Sequence, residues 1–270
     1  MIQIVKYLGS SILVLFFLSC EKQKSDQVDS ATEEKFVYDA PKTVSGDFYL
    51  PKSTTNEIVV HKYYTLSYSE KHEQAEWVAY ELKKNQLSHT NYNRPYFEED
   101  PDVETGSASW RNYKKSGYDK GHLCPAGDRR FSIEAFNETF YTSNISPQLN
   151  EFNAGIWNRL EQKTRYWASK YDGVYVITGG VLTNDLESIG KENVSIPKYF
   201  YKILLDNSRG EYKTIAFLIP HEDSEKPLNK FVVSIDKIEK MTRIDFFPRL
   251  PDNIENELEQ SSDYKGWVFK

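Results

Sequence analysis

Apolar residues recur along this chain at both helical and strand-like spacings, so the pattern predicts a mixed architecture. Large side chains return every three or four positions within residues 152–168, namely Trp157, Leu160, Thr164 and Trp167. This spacing predicts a helix. Residues 73–82, with Trp77 and Tyr80 on one apolar side, predict a second helix. Residues 234–240 begin with a serine suited to an N-cap and predict a short third helix.

Short apolar runs predict the strands. Residues 59–64 and 174–178 are two such runs, and the second stops at a pair of glycines. Residues 199–205 and 213–219 are joined through the turn-forming residues 207–210, which indicates a hairpin. Helices and antiparallel strands mix without regular alternation, so the predicted fold class is α+β rather than a doubly wound sheet.

The N-terminus is typical of an export signal. A positive charge at Lys6 precedes an apolar run at residues 12–18, which is too short to span a bilayer. Cys20 follows directly, and this order resembles a bacterial lipoprotein signal, with cleavage after residues 1–19 and acylation of the Cys20 thiol. The sequence therefore predicts an exported protein anchored by lipid to a bacterial membrane, in the periplasm or at the cell surface. Plain secretion is the alternative.

The rest of the chain divides into a tether and one domain. Residues 20–44 are polar and lack periodicity, as expected of a linker between the lipid and the domain. Residues 45–270 have the size of one ordinary domain. Within it, residues 91–117 form a long stretch without regular periodicity, of the kind that often carries function. Cys124 is the one other cysteine of the chain and is interpreted as a small buried filler.

The charge of the chain excludes a protein that wraps nucleic acid by bulk electrostatics. The formal net charge is −6, whereas such proteins usually carry a basic domain. A local basic cluster does exist around one short segment, made of Arg111, Lys114, Lys115, Lys120, Arg129 and Arg130. An enzyme that holds an anionic substrate transiently needs only such a local cluster.

The densest polar segment is residues 117–128, with His122 at its centre. Histidine titrates near neutral pH, so His122 beside a carboxylate and a cation is a candidate general base. The remaining histidines show no ligand spacing; they are His61, His72, His89 and His221. Without a His-Glu-x-x-His or Cys-x-x-Cys motif, a zinc site is not predicted.

Asn153 and Glu161 lie on the predicted helix over residues 152–168, about 12 Å apart along a straight axis. One small cation cannot bind both directly over that distance. We therefore expect Asn153 to be the direct ligand and Glu161 to act through water. A hard cation that keeps most of its waters fits Mg²⁺, with Mn²⁺ as a substitute.

Three ordered motifs carry a family resemblance: Asp119-Lys120-Gly121-His122, Ser143-Asn144-x-x-Pro147-Gln148 and Asn153-x-x-x-Trp157-x-x-Leu160-Glu161. In order and spacing they resemble the DNA/RNA non-specific endonucleases (Serratia-type and endonuclease G-like nucleases). The resemblance extends over roughly residues 58–250. It implies a ββα-metal (His-Me finger) core with a mixed, mainly antiparallel sheet flanked by helices.

The resemblance also implies roles for individual residues. His122 deprotonates the attacking water, Asn153 holds Mg²⁺ and Glu161 orders the waters of the metal. Asn144 supports the site or contacts the scissile phosphate. Asp119 orients the strand that presents His122.

Arg94 is the candidate phosphate-binding arginine upstream of the motif, and Lys120 is a second substrate-binding residue. The family usually has arginine at the position of Lys120, and lysine cannot form a bidentate phosphate contact. We therefore expect an altered rate or substrate preference. Gly180 stands where the family usually has proline, and Cys124 where it often has alanine.

The implied function is Mg²⁺-dependent endonucleolytic hydrolysis of both DNA and RNA, with little base discrimination because the expected contacts go to phosphates. Two alternatives stay open. One is a related metal-dependent phosphodiesterase that acts on another phosphate ester with the same fold. The other is a non-catalytic surface lipoprotein that uses the scaffold for binding.

Overall fold

The computed structural model describes residues 46–208 and 210–269. The predicted signal peptide (1–19), the tether (20–44) and the lipidation site Cys20 lie outside the described residues. In the described part of the chain, no helix is long and apolar enough to cross a membrane.

A seven-stranded sheet forms the centre of the fold, in the order β1-β2-β3-β6-β9-β10-β11, and every neighbouring pair is antiparallel. Two smaller two-stranded sheets pair β4 with β5 and β7 with β8. The strands are β1 (Ile58–Val60), β2 (Thr65–Ser69), β3 (Gln74–Lys83), β4 (Asp119–His122), β5 (Ile145–Gln148), β6 (Gly173–Gly180), β7 (Ser188–Ile189), β8 (Val194–Ser195), β9 (Tyr199–Asp206), β10 (Lys213–Pro220) and β11 (Val232–Val233).

The helices cover the two faces of the large sheet. They are α1 (Ile133–Glu138), α2 (Asn150–Phe152), α3 (Asn158–Lys170), α4 (Ile235–Thr242) and α5 (Asp252–Gln260). A π-helical turn over Asn153–Trp157 joins α2 to α3. The longest of them, α3, packs with Trp157 and Phe200 into one apolar core. Helices α4 and α5 pack into a second core with Ile177 and Ile203, on the other face of the sheet.

Most predicted elements are present. The strands expected near residues 174–178, 199–205 and 213–219 are β6, β9 and β10, and β9 pairs antiparallel with β10 as a hairpin should. The helix expected over 152–168 is the α2–α3 segment. The helix expected over 234–240 is α4, although the Ser234 side chain at its N-cap makes no capping hydrogen bond.

Two secondary-structure predictions, for residues 73–82 and 59–64, were wrong. Residues 73–82, predicted as a helix, form the central strand β3, which is buried on both faces. Trp77 faces one core and Tyr80 the other, so their apolar character does not mark one side of a helix. A strand buried on both faces carries an almost continuous apolar run, which hides its period of two. Residues 59–64 contain only the short strand β1, and the chain turns before β2 begins.

Strands β4 and β5 with the α2–α3 segment form the ββα unit. Asp119 pairs with Gln148 and His122 with Ile145, so the first two sequence motifs lie side by side. Gly121 is required in this ribbon, because a Cβ atom there would approach the Gln148 side chain to 2.2 Å. The predicted α+β class with a ββα core is confirmed.

Candidate active site

One cavity of about 380 Å³ brings together most of the predicted site residues. Its walls include Arg94, Lys120, His122, Asn153 and Glu161. They come from four parts of the chain: the long loop before β4, strand β4, the π-helical turn and helix α3. The ββα unit therefore places them around one space large enough for a phosphodiester group.

His122 ends strand β4 and is held by aromatic side chains. Its ring centroid lies 5.6 Å from that of Phe97 and 5.1 Å from that of Phe140. Its Nε2 is shielded from solvent and has no hydrogen-bond partner among the described residues. The packing of Phe97 and Phe140 therefore positions the imidazole ring. Nδ1 is the nitrogen left to act toward the cavity.

The environment of His122 keeps the imidazole neutral. Burial, assisted by the positive charge of Arg94, lowers the pKa of His122 to about 3. At neutral pH the ring is therefore an unprotonated acceptor. An anionic phosphodiester bound near Arg94 would offset that charge and raise the basicity of the ring.

Asn153 is oriented by strand β4. Its Nδ2 donates a hydrogen bond of 3.0 Å to Oδ2 of Asp119, which also accepts from Nδ2 of Asn150 at 3.0 Å. Because the amide nitrogen is engaged, the carbonyl oxygen of Asn153 is left for the cavity. Asp119 was expected to orient the strand; in the structure it joins that strand to the carboxamide.

Glu161 reaches the same cavity from α3. Burial raises its pKa to about 7, and the charge of Lys202 acts in the opposite direction. Lys202 is fully buried on β9, with Nζ 4.8 Å from the Trp157 ring centroid and no hydrogen-bond partner in the described structure. Burial lowers the pKa of Lys202. The Glu161 carboxyl group, which lines the cavity, and the buried Lys202 amine therefore interact electrostatically.

Basic side chains dominate the remaining walls. Arg94 is exposed and lies 5.4 Å from the Phe140 ring centroid, and Lys120 Nζ lies 5.2 Å from that of Phe97. Arg130 and Arg165 also line the cavity. Arg165 is paired with Asp128 at 2.7 Å, so the other three cations are available to an anion.

Asn144 lies elsewhere and requires a correction. It is fully buried and does not line the cavity. Its Oδ1 accepts from the backbone N–H of Cys124 at 2.8 Å, and its Nδ2 donates to the carbonyls of Cys124 and Thr139. Both polar atoms of its side chain thus bind backbone groups, at Cys124 in the loop that follows His122 and at Thr139 after α1. This placement agrees with support of the site and leaves no atom for a substrate phosphate.

The basic cluster of the sequence separates into three parts. Lys120 and Arg130 face the cavity described above. Arg111, Lys114 and Lys115 line a neighbouring cavity of about 640 Å³. Arg129, predicted to belong to the cluster, is only 1% exposed; its guanidinium carbon lies 4.5 Å from the Tyr80 ring centroid, and it donates to three backbone carbonyls. Its role is structural, as is that of buried Cys124.

Sequence reasoning missed several wall residues, namely Tyr92, Asn158 and Arg165, and the buried amine of Lys202. Asn158 and Arg165 lie three residues before and four residues after Glu161, so they share its helix face. That spacing could have revealed both. Lys202 comes from a strand distant in sequence, and no local pattern indicates it.

The donor set fits a hard divalent cation. The Asn153 carbonyl oxygen and the Glu161 carboxylate are oxygen donors of the type Mg²⁺ prefers. Among the described residues, no group of three His, Cys, Asp or Glu ligands gathers in this cavity, as a zinc site would require. Few protein ligands and a roomy cavity suit an ion that retains waters.

A ββα unit with a histidine on its ribbon and an asparagine on its helix defines the ββα-metal class of nuclease folds. The model of the DNA/RNA non-specific endonuclease family matches residues 45–253, and the chain belongs to that family. The predicted family is confirmed. It is a family of metal-dependent nucleases.

Individual relatives agree. Nuclease EXOG, mitochondrial, of Danio rerio is 37% identical over 227 residues, covering 77% of this chain and 65% of the relative. Endonuclease G, mitochondrial, of Homo sapiens is 33% identical, covering 69% and 68%. Nuclease C1 of Cunninghamella echinulata var. echinulata is 32% identical, covering 73% and 85%. The chain spans between 56% and 65% of the mitochondrial EXOG nucleases that it matches.

A solved structure described as the EndoG/EndoGI complex superposes with a TM-score of 0.66 at 28% sequence identity. The match covers 72% of this chain and 87% of the other. The likeness confirms the fold.

Proposed function

We propose that this protein is a Mg²⁺-dependent endonuclease that hydrolyses phosphodiester bonds of both DNA and RNA. The observation that carries the proposal is the shared cavity of His122, Asn153 and Glu161, with unpaired cations on its walls. A histidine base, an amide oxygen and several cations that line one cavity are suited to an anionic ester that water attacks.

Each residue has a task in this proposal. Arg94, Lys120 and Arg130 bind the phosphate backbone. His122 accepts the proton of the attacking water through Nδ1, since its ring is neutral at pH 7. Asn153 holds the cation through its carbonyl oxygen, and Glu161 accepts hydrogen bonds from waters near it. The cation, when bound, supplies positive charge to the departing oxygen and a bound water of lowered pKa.

The cavity offers charge rather than base-edge recognition. Its charged groups suit phosphate oxygens, which carry no sequence information. The basic wall residues likewise offer no group that would distinguish deoxyribose from ribose. We therefore propose cutting of DNA and RNA with little sequence preference.

Digestion of plasmid DNA and of a structured RNA, with Mg²⁺ and with EDTA, tests the proposal. Wild-type protein should cut both substrates in Mg²⁺ and neither in EDTA. His122→Ala should lower turnover by roughly 10²–10⁴-fold, the usual contribution of a general base. His221→Asn is the matched control, because His221 does not line the cavity and, among the described residues, its hydrogen bonds go to the backbone of Leu149 and Pro197.

The outcomes separate the rival functions. Metal-dependent hydrolysis of a small diester without cutting of nucleic acid would establish the phosphodiesterase alternative. Binding of nucleic acid without hydrolysis in Mg²⁺ or Mn²⁺ would establish the non-catalytic scaffold. Near wild-type turnover of His122→Ala would remove His122 as the base.

We also propose that the protein is exported and anchored to a bacterial membrane through lipid on Cys20. The apolar run before this cysteine and the polar tether after it support the proposal. Incorporation of labelled palmitate in a bacterial host should be lost in Cys20→Ala while export continues. Equal labelling of both proteins would disprove acylation at Cys20.

A further inference from the structure

A group of carboxylates lies between α4 and α5, on the face of the large sheet opposite to that covered by α3. We call this group the acidic cluster; its members are Asp236, Glu239, Asp245, Glu255 and Glu259. Its oxygens form two sets of three ligand atoms, each within 4.8 Å of one another, and Glu259 belongs to both sets. Glu255 and Glu259 lie beyond the residues that the family model matches.

Glu259 is the unusual member. Its side chain belongs to a residue only 8% exposed, and its Oε1 is shielded from solvent without a hydrogen-bond partner in the described part of the chain. Burial, with the charges of the four neighbouring carboxylates, raises the pKa of Glu259 to about 9. A buried carboxylate facing four others requires positive charge or a proton.

The protein itself supplies little compensation. Lys52 pairs with Asp245, on the exposed side of the cluster. The backbone N–H of Phe246 donates to Glu239 at 2.9 Å. Neither contact reaches the shielded oxygen of Glu259.

We propose that the acidic cluster binds one divalent cation of the calcium type, with Glu259 as the ligand shared by both sets. Ca²⁺ takes six to eight oxygen ligands at about 2.3–2.6 Å in a flexible arrangement. The three oxygens of each set lie within 4.8 Å of one another, so all three can contact one such ion. Carboxylates on two helices and their connecting loop can adjust to this geometry.

The ion is structural in this proposal. It joins α4 to α5 and cancels repulsion between them, and the sheet separates it from His122 and Asn153. Occupation of the site should therefore change stability and leave nuclease chemistry unchanged. The site is independent of the proposed function, so either can fail alone.

Calcium titration calorimetry on the Asn153→Ala protein tests the site, because that variant removes the proposed catalytic ligand. We expect one bound Ca²⁺ per chain. Adding Glu259→Gln should abolish this binding. Adding Glu257→Gln instead should preserve it, because Glu257 is exposed on the same helix and outside the cluster. Absence of binding to Asn153→Ala, or equal binding to both double variants, would overturn the proposal.

Thermal unfolding provides a second measurement, because Glu259→Gln should have different effects on stability without and with Ca²⁺. In EDTA near neutral pH, Glu259→Gln should unfold at about the same temperature as the parent protein, because the raised pKa keeps Glu259 protonated and uncharged there. In the Asn153→Ala background, Ca²⁺ at about 100 times its Kd should shift the folding equilibrium about 100-fold toward the native state, and adding Glu259→Gln should abolish this shift. Equal shifts in the two proteins would disprove the site. A protein whose stability does not respond to Ca²⁺, because Glu259 stays protonated, would disprove it as well.

Discussion

Oδ2 of Asp119 accepts a hydrogen bond from Nδ2 of Asn153 at 3.0 Å, and this bond couples the strand of the ββα unit to its helix. Because the carboxylate can only accept, it fixes which end of the carboxamide faces the cavity. Asn153, the proposed metal ligand, is thus oriented by the same strand that carries His122.

Asp119→Ala should weaken binding of the catalytic cation by roughly 10–100-fold, the usual effect of losing a group that orients a ligand. The Mg²⁺ dependence of plasmid cutting gives this value. Asn150→Ala is the matched control, because Asn150 also bonds to Asp119 but does not line the cavity. An unchanged Mg²⁺ requirement in Asp119→Ala would contradict the orienting role.

The imidazole of His122 should titrate far below ordinary histidines in metal-free protein. Its pKa is lowered to about 3 by burial and by Arg94. Removal of a positive charge favours protonation, so Arg94→Gln should raise the pKa of His122. NMR titration of the ring in EDTA measures both values. Arg130→Gln serves as the control, and a His122 pKa near 6.5 in the wild type would refute the assigned environment.

Gly121→Ala should destabilise the ββα ribbon by about 1–3 kcal/mol, the usual cost of overpacking. Its added Cβ would meet the buried Gln148 side chain at 2.2 Å. Urea unfolding measures the loss. Shortening that side chain should relieve the clash, so the double variant with Gln148→Ala should be more stable than the sum of the single losses predicts. Strict additivity would show that the two positions do not interact.

Lys120→Ala should weaken binding of duplex DNA. It should also reduce the slope of log Kd against log salt by about 1, the change expected when one phosphate contact is lost. Fluorescence anisotropy in a His122→Ala background separates this binding from cutting. Lys120→Arg should bind more tightly than the wild type, because its guanidinium can contact phosphate through two hydrogen bonds. Lys114→Ala, in the neighbouring cavity, is the control. A salt slope unchanged by Lys120→Ala would place Lys120 outside the contact.

The site was largely predictable because its signals are local. The strand with His122, the strand that pairs with it and the helix with Asn153 and Glu161 follow one another within a short stretch of chain. Their order and spacing therefore survive in sequence as motifs. The α+β class was also predictable, because the later strands and the helix of residues 152–168 keep their own periodicity.

What was missed depends on contacts between distant segments. Strand β3 resembles a helix in sequence because both of its faces are buried, which becomes evident only when β2 and β6 flank it. Arg129 resembles its exposed neighbours until Tyr80 covers it. Asn144 belongs to a sequence motif, but it is fully buried and its side chain hydrogen-bonds to the backbone. Lys202 belongs to the site through sheet pairing alone.

The π-helical turn at Asn153–Trp157 affects how Asn153 and Glu161 could be copied into a designed protein. Gly155 within it has φ −90° and ψ −111°, outside the helical region, so the segment is kinked between Asn153 and Glu161. On an unbroken helix the two residues would be about 12 Å apart along the axis. A designer who copied only the sequence spacing onto a straight helix would not reproduce the relative placement of their side chains. A design would have to copy the bend together with the two side chains to reproduce this arrangement.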